Sequence, residues 1–94
     1  MDNYKNNPAC FEENADLLKA LSHPVRLCIV KGLIENGESN VSNMQNCLDM
    51  PQSTISQHIS KLKACKVIKG YRNGLEIKYK VENEKIIEIV KILF

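Results

Sequence analysis

Features that would mark an enzyme, a metal-stapled fold or a membrane protein are missing from the sequence. It has no Gly-rich phosphate loop and no nucleophile with an identifiable base, and its four cysteines form no CxxC pair. We therefore expect neither an enzyme nor a disulfide framework. The N-terminus lacks the basic and apolar regions of a signal peptide, and no segment approaches the about 20 apolar residues of a membrane span. These absences favour a cytoplasmic protein with free thiols and no membrane partner.

The chain is short, with 94 residues, and 44% of them are hydrophobic. A chain of this length forms one compact domain with a small core. We expect residues 1–8 to be a flexible N-terminal tail and residues 9–94 to be a single domain. A dimer interface would supply the apolar burial that a short chain lacks.

The charges are unevenly distributed, although the formal net charge is only +2. Residues 51–81 contain seven lysine or arginine residues and one acidic residue, whereas residues 1–50 contain four and seven and residues 82–94 contain two and three. Clustered cations raise the local potential far more than the net charge implies. The central segment therefore predicts a surface that binds a polyanion, and nucleic acid is the obvious candidate.

Four helices are predicted in the first two thirds of the chain, because apolar residues recur there at three- and four-residue spacing. They cover residues 9–21, 24–36, 42–48 and 52–65. Ser22 is expected to cap the second helix, and Ser42 with Gln45 forms a capping-box pattern for the third. Two short helices joined by a tight turn, here at 49–51, are typical of a helix-turn-helix unit.

Between residues 67 and 81 the apolar pattern changes from helical to alternating. Charged residues separate four apolar ones in the pattern of a half-buried strand, and these are Leu75, Ile77, Tyr79 and Val81. A strand over 67–72 precedes it, and Asn73-Gly74 is a strong two-residue hairpin signal. Asn83 can cap a last, broadly apolar helix. The predicted fold is mainly α with a small β-hairpin (α+β), and the hairpin is placed as the wing of a winged helix-turn-helix domain.

Two segments carry a resemblance to a known family. ALSHPVRLCIVKGL at 20–33 and PQSTISQHISKLKAC at 51–65, with the Asn-Gly wing, look like the ArsR/SmtB family of winged helix-turn-helix repressors. The resemblance covers residues 12–94. It implies a homodimer built from the first and last helices, which binds an inverted-repeat operator in double-stranded DNA and leaves it when a small effector binds. One departure is Lys66, where relatives commonly have glycine, and it predicts mild backbone strain after the fourth helix.

The fourth predicted helix has a polar face that suits a DNA groove. Glutamine pairs bidentately with adenine, serine and threonine bond base edges or phosphates, and Lys61 near the helix end is placed for a phosphate. The alternative is a merely solvated helix face. The candidate DNA contacts on this helix are Gln52, Ser53, Thr54, Ser56, Gln57, His58 and Lys61.

The wing supplies a second set of candidate DNA contacts. Its tip has no bulky side chain that would keep it from a minor groove or a phosphate, and Arg72 is the side chain favoured for that contact. The alternative is an ordinary edge strand whose cations prevent aggregation. The candidate contacts of the wing are Arg72, Asn73, Gly74 and Lys78.

The sequence lacks the ligand sets of the family's metal sensors. Where the family's thiolate sensors carry a Cys-x-Cys pair, this sequence has Asn40 and Ser42, and residues 82–94 contain no His, Asp or Cys. We therefore predict no metal site and no cofactor. Cys47 and Cys65 fall on apolar positions, which predicts core packing. Cys10 and Cys28 lie nearer helix starts, where thiols are more reactive, so redox or thiophilic-metal sensing is the alternative effector mode.

The first and last helices display more apolar surface than a lone domain of this size can easily cover. The candidate dimer residues are Phe11, Leu18, Leu21, Ile86, Ile89, Val90 and Leu93. A rival interpretation is a winged-helix module that binds other proteins through its last helix and does not bind DNA. The basic excess in residues 51–81 argues against this rival.

Overall fold

The computed structural model describes residues 3–94, within which five helices and one antiparallel hairpin occur. The elements are α1 Pro8–Leu21, α2 Pro24–Asn36, α3 Val41–Leu48, α4 Gln52–Ala64, β1 Lys69–Asn73, β2 Glu76–Lys80 and α5 Glu84–Leu93. This is the order of a winged helix-turn-helix domain, and it confirms the predicted fold class. Within these residues, no helix is long and apolar enough to cross a membrane.

Two of the predicted helix caps are wrong. Ser22 closes α1, since its N–H donates to the Lys19 carbonyl, and His23 caps α2 by accepting a hydrogen bond from the Val25 N–H at Nδ1, over 3.1 Å. The N-cap of α3 is Asn40, whose Oδ1 accepts from the Asn43 N–H at 2.8 Å. Ser42 already lies inside the first turn, so the capping box does not form.

The core lies where all five helices meet the base of the hairpin. Its buried members are Ala20, Leu21, Ile29, Val30, Leu33, Met44, Ile55, Ile59, Leu62, Val67, Ile68, Tyr79, Val81, Ile86 and Val90. The burial predicted for Cys47 is wrong, because the core-facing stripe of α3 is limited to Met44 with Leu48 partly covered, and the Cys47 thiol is exposed. Cys65 is half-buried and packs against the core, as predicted.

The hairpin turn lies one residue later than predicted. Asn73 pairs with Glu76, so the two loop residues are Gly74 and Leu75, and not Asn73 and Gly74. Of the two, Gly74 alone has positive φ, at 69°, which is the pattern of a turn with glycine at its first central position. The expected half-buried strand is also only partly correct. Tyr79 is buried at the base of β2, whereas Leu75 and Ile77 toward the tip are exposed.

The base of the wing is tied to the segment before α3. Ser39 and Tyr79 exchange two backbone hydrogen bonds, with N···O distances of 3.1 Å and 2.8 Å. The Asn40 side-chain amide also donates to the Glu76 carboxylate. The residue that caps α3 therefore contacts β2, which fixes the hairpin relative to the helix-turn-helix unit.

The end of α4 confirms the strained position predicted at Lys66, whose φ is 60°. The Val67 N–H donates to the Leu62 carbonyl and the Lys66 N–H to the Lys63 carbonyl, which is the hydrogen-bond pattern of a Schellman cap. Glycine is the usual residue at this left-handed position because a Cβ there is crowded.

We expect Lys66→Gly to raise the free energy of unfolding by about 1 kcal/mol, since glycine removes the steric cost of positive φ. The same exchange at Lys61, inside α4, is the matched control and should lower stability by about 1 kcal/mol. Urea denaturation of both variants measures the two changes. Equal destabilisation by both would contradict this explanation of the cap.

Candidate nucleic-acid interface

The rotation of α4 about its axis is set by three core residues. Ile55, Ile59 and Leu62 are buried at the spacing of one helical face, and they pack against α2 and α3. This packing turns the opposite face outward. The exposed polar residues of α4 are Gln52, Ser53, Ser56, Gln57, Ser60, Lys61 and Lys63.

The outward face agrees largely, but not fully, with the residues predicted from sequence. Ser60 was missed, although it continues the three- and four-residue spacing of Ser56 and Gln57. Thr54 and His58 are half-buried on the flank of the helix and do not lie at the centre of the polar face. The exposed part of α4 thus offers amides, hydroxyls and the two ammonium groups of Lys61 and Lys63, and it has no acidic side chain. Such groups bond both base edges and phosphates.

The turn between α3 and α4 fixes the angle at which α4 is presented. Asp49 takes a left-handed conformation, with φ of 53°, and its N–H closes α3 on the Gln45 carbonyl at 2.9 Å. Pro51 then precedes α4 with φ of −58°. No side chain caps this helix.

His58 faces the start of α2 and does not point straight outward. Its ring centroid lies 4.6 Å from that of His23, and both rings are half-buried. Partial burial, together with the neighbouring His23, Arg26 and Lys61, lowers the pKa of His58 below its ordinary value of 6.5. Sequence reasoning treated the two histidines separately, because nothing in their spacing indicates that they meet.

The wing carries exposed basic and polar groups at its tip. Arg72, Asn73 and Gly74 are exposed as predicted, while Lys78 is half-buried opposite Tyr71 in the antiparallel register. Tyr71 donates a hydrogen bond to the Glu82 carboxylate, which raises the pKa of Tyr71 above its ordinary value of 10. Its hydroxyl is therefore protonated at neutral pH.

The wing base also contacts the end of α4. The Lys63 ammonium lies 6.0 Å from the ring centroid of Tyr79, within the range of a cation–π contact. Lys69 makes a similar contact with the ring of Tyr71, at 5.4 Å. The basic residues of the hairpin and of the helix end therefore belong to adjoining surfaces, and both are stabilised by aromatic rings.

Comparisons with known proteins agree with this arrangement of helices and wing. The model of a family described as "Helix-turn-helix domain" matches residues 21–70. The transcriptional repressor PagR of Bacillus anthracis is 45% identical over 82 residues, which are 87% of this chain and 82% of PagR. The transcriptional repressor SmtB of Mycobacterium tuberculosis is 39% identical over 75 residues, or 80% of this chain and 55% of SmtB. The chain belongs to the ArsR/SmtB family.

Solved structures of two relatives share the fold. The crystal structure of PagR superposes with a TM-score of 0.85 at 42% identity, covering 90% of this chain and 97% of PagR. The crystal structure of the repressor BigR from Xylella fastidiosa gives a TM-score of 0.82 at 33% identity, covering 98% and 93%. The architecture derived above is thus that of experimentally solved ArsR/SmtB repressors.

The apolar surface that this ArsR/SmtB chain leaves exposed differs from the predicted dimer set. Leu21, Ile86 and Val90 need correction, because they are buried inside the subunit and have no surface to offer a partner. Ile89 is half-buried. The members that remain exposed are Phe11, Leu18 and Leu93, and the end of α5 adds Ile92 and Phe94.

The two positions at which sensors of the ArsR/SmtB family carry thiolates have structural roles here. Asn40 caps α3 and bonds Glu76, and Ser42 lies in the first turn of α3. Across residues 3–94, no three His, Cys, Asp or Glu side chains come close enough to hold a metal ion. Cys10 and Cys28 are both exposed. Their use as a redox or thiophilic-metal sensor stays a prediction.

Proposed function

We propose that this protein is a transcriptional repressor that acts in the cytoplasm as a homodimer and binds an inverted-repeat operator in double-stranded DNA. The proposal rests on the outer face of α4, where glutamine and serine side chains are exposed. The isoleucines of α4 are buried on its opposite face, and the basic wing adjoins the helix. The repressor names of PagR, SmtB and BigR agree with this function.

The exposed apolar residues support a homodimer. Leu18 of α1 is 55% exposed and Leu93 of α5 is 58% exposed, with Ile92 and Phe94 beside Leu93 in sequence. A two-fold axis places the same apolar patch on both subunits against itself. Two recognition helices related by such an axis would enter successive major grooves about 34–36 Å apart, one turn of DNA.

No cofactor is proposed, and the effector that releases the DNA is not assigned. The residues at the family's thiolate positions cap and begin α3, which argues against a metal in that place. The alternative is an effector that reacts with the thiol of Cys10 or Cys28. The exposure of both cysteines supports this alternative.

The wing is expected to contribute to DNA affinity through phosphate contacts, and α4 through contacts with bases. Arg72→Ala is expected to weaken binding to every duplex and to reduce the slope of log K against log salt by about one for each subunit, because each subunit loses one phosphate contact. Gln57→Ala is expected instead to change the preference among operator variants, with little change in the slope. Fluorescence anisotropy with the DNA upstream of the protein's own gene, at several salt concentrations, measures both effects.

The same assay tests the proposed function itself. The wild-type protein should prefer this upstream DNA to a scrambled duplex of equal length at about 100 mM salt. Equal affinity for the two duplexes would reject a sequence-specific regulator, and absence of binding to either would favour the protein-binding module. An unchanged salt slope in Arg72→Ala would remove the wing from the interface.

A further inference from the structure

The sequence contains two histidines, and the fold brings them into one cluster. His23 lies immediately before α2 and His58 in the middle of α4, and their ring centroids are 4.6 Å apart with an interplanar angle of 50°. His58 is on the flank of α4, next to the exposed face that carries Gln57 and Lys61. The pair therefore stands at the border between the core and the proposed DNA surface.

The other charged groups of this cluster are cations. Arg26 of α2 is held in place because its Nε donates to the Ala20 carbonyl at 2.6 Å and its Nη2 to the Lys19 carbonyl at 3.3 Å, both at the end of α1. Lys61 comes from α4 itself, and α3 carries no charged residue. The charged residues of α1, which also packs against α4, are all exposed, and they are Glu12, Glu13, Asp16 and Lys19. Within residues 3–94, neither Arg26 nor Lys61 forms an ion pair with a carboxylate.

Of the two rings, His58 is free to accept a proton. The Nδ1 of His23 accepts the Val25 N–H and must be unprotonated to do so, which means that protonation there would break the cap of α2. Neither ring nitrogen of His58 takes part in a hydrogen bond within the described residues. Burial and the surrounding cations lower the pKa of His58, so its ring is mainly neutral in the free protein at neutral pH.

We propose that His58, with Arg26 and Lys61 beside it, forms a contact to a DNA backbone phosphate that takes up one proton from solvent on binding. The proton adds to a ring nitrogen of His58, and no covalent bond of the DNA changes. A phosphate supplies the negative charge that this cluster of cations lacks. The inference rests on the proposed DNA-binding function and adds a pH dependence to it.

The sign of the effect follows from linkage. A phosphate next to the ring favours its charged form, so the pKa of His58 is higher in the complex than in the free protein. DNA affinity is then greatest at pH values below the lowered pKa of the free protein, and it is lost as the pH rises through the pKa of the complex. A rise of about one pKa unit on binding corresponds to about a tenfold change in affinity.

The small number of groups that titrate near neutral pH makes the effect measurable. Histidine is the side-chain type whose ordinary pKa lies between about pH 5.5 and 7.5, and the sequence contains two histidines. Operator binding by the homodimer at constant salt should therefore be up to about a hundredfold tighter at pH 5.5 than at pH 7.5, which is about tenfold for each of its two His58 residues.

Two variants separate the histidines from each other. His58→Gln keeps a polar side chain on α4 but cannot take up the proton, and its affinity should not change with pH over this window. His23→Asn is the matched control, since asparagine also caps a helix, and it should keep the pH dependence. A pH dependence that persists in His58→Gln, or that is missing from the wild type, overturns the proposal.

A second measurement applies even if His58→Gln binds too weakly for a pH series. The ring signals of the two histidines are followed by NMR against pH in the free wild-type protein and in its complex with operator DNA. A rise in the pKa of His58 on binding supports the proposal, and an equal or lower pKa in the complex overturns it. Binding that is specific but independent of pH refutes this inference alone, whereas absence of specific binding at every pH refutes the proposed function.

Discussion

A Leu18→Asp variant is expected to sediment as a monomer and to bind operator DNA at least about a hundredfold more weakly than the wild type. Leu18 is 55% exposed on α1, so aspartate leaves the subunit core intact but places a charge on the surface proposed to meet the second subunit. Burying that charge against apolar side chains costs more than the interface gains. A monomer then binds one half-site, without the avidity of two linked recognition helices.

Leu75→Asp is the control for the oligomeric state alone, because Leu75 is a fully exposed apolar residue at the wing tip and far from the proposed interface in sequence. It should remain dimeric. Analytical ultracentrifugation at micromolar concentration gives the oligomeric state, and circular dichroism verifies that both variants are folded. A wild type that is already monomeric, or a Leu18→Asp variant that is dimeric, would contradict the proposed interface.

Leu62→Ala is expected to reduce the free energy of unfolding by about 2–5 kcal/mol, a large part of the about 5–15 kcal/mol that a domain of this size possesses. Leu62 has no exposed surface, and it lies on the inner face of α4 with Ile55 and Ile59. Truncation removes buried methyl groups and leaves a cavity that the surrounding core fills only in part.

Urea denaturation at one fixed protein concentration measures this loss, since dimer formation makes apparent stability depend on concentration. The same leucine-to-alanine exchange at Leu75 serves as the control and should change stability by less than about 0.5 kcal/mol. A loss below about 1 kcal/mol, which is the scale of a surface substitution, would show that α4 is not anchored through Leu62.

Most of the fold was predictable because local signals in this sequence agree with one another. The helices follow from the apolar spacing, the Pro24 start and the Gly37 stop, and the strand pair follows from alternation around Gly74. The errors in the helix caps arose where two neighbouring residues compete for one role. Ser22 was already engaged as the end of α1, and Asn40 capped α3 before Ser42 could do so.

The candidate site was less predictable, because part of it depends on contacts between segments distant in sequence. Spacing within α4 predicted the exposed Gln57 and Lys61, but it could not show that His58 meets His23 across the packing of α2 on α4. Some residues predicted at the dimer interface are buried inside the subunit, for a related reason. Helical periodicity identifies an apolar face, but it does not say whether that face meets the subunit's own core, as Ile86 does, or a second subunit.

The hydrogen bonds between Ser39 and Tyr79 hold the base of the wing but not its tip. The two parts should therefore differ in how well they tolerate inserted residues. At the base, β2 is paired with β1 on one side and with Ser39 on the other, so a residue inserted there would shift the register of both pairings. At the tip, Gly74 and Leu75 are exposed and outside the ladder. Insertions should therefore be accepted at the tip, which makes wing length a property that can diverge between homologues while the helix-turn-helix unit stays unaltered.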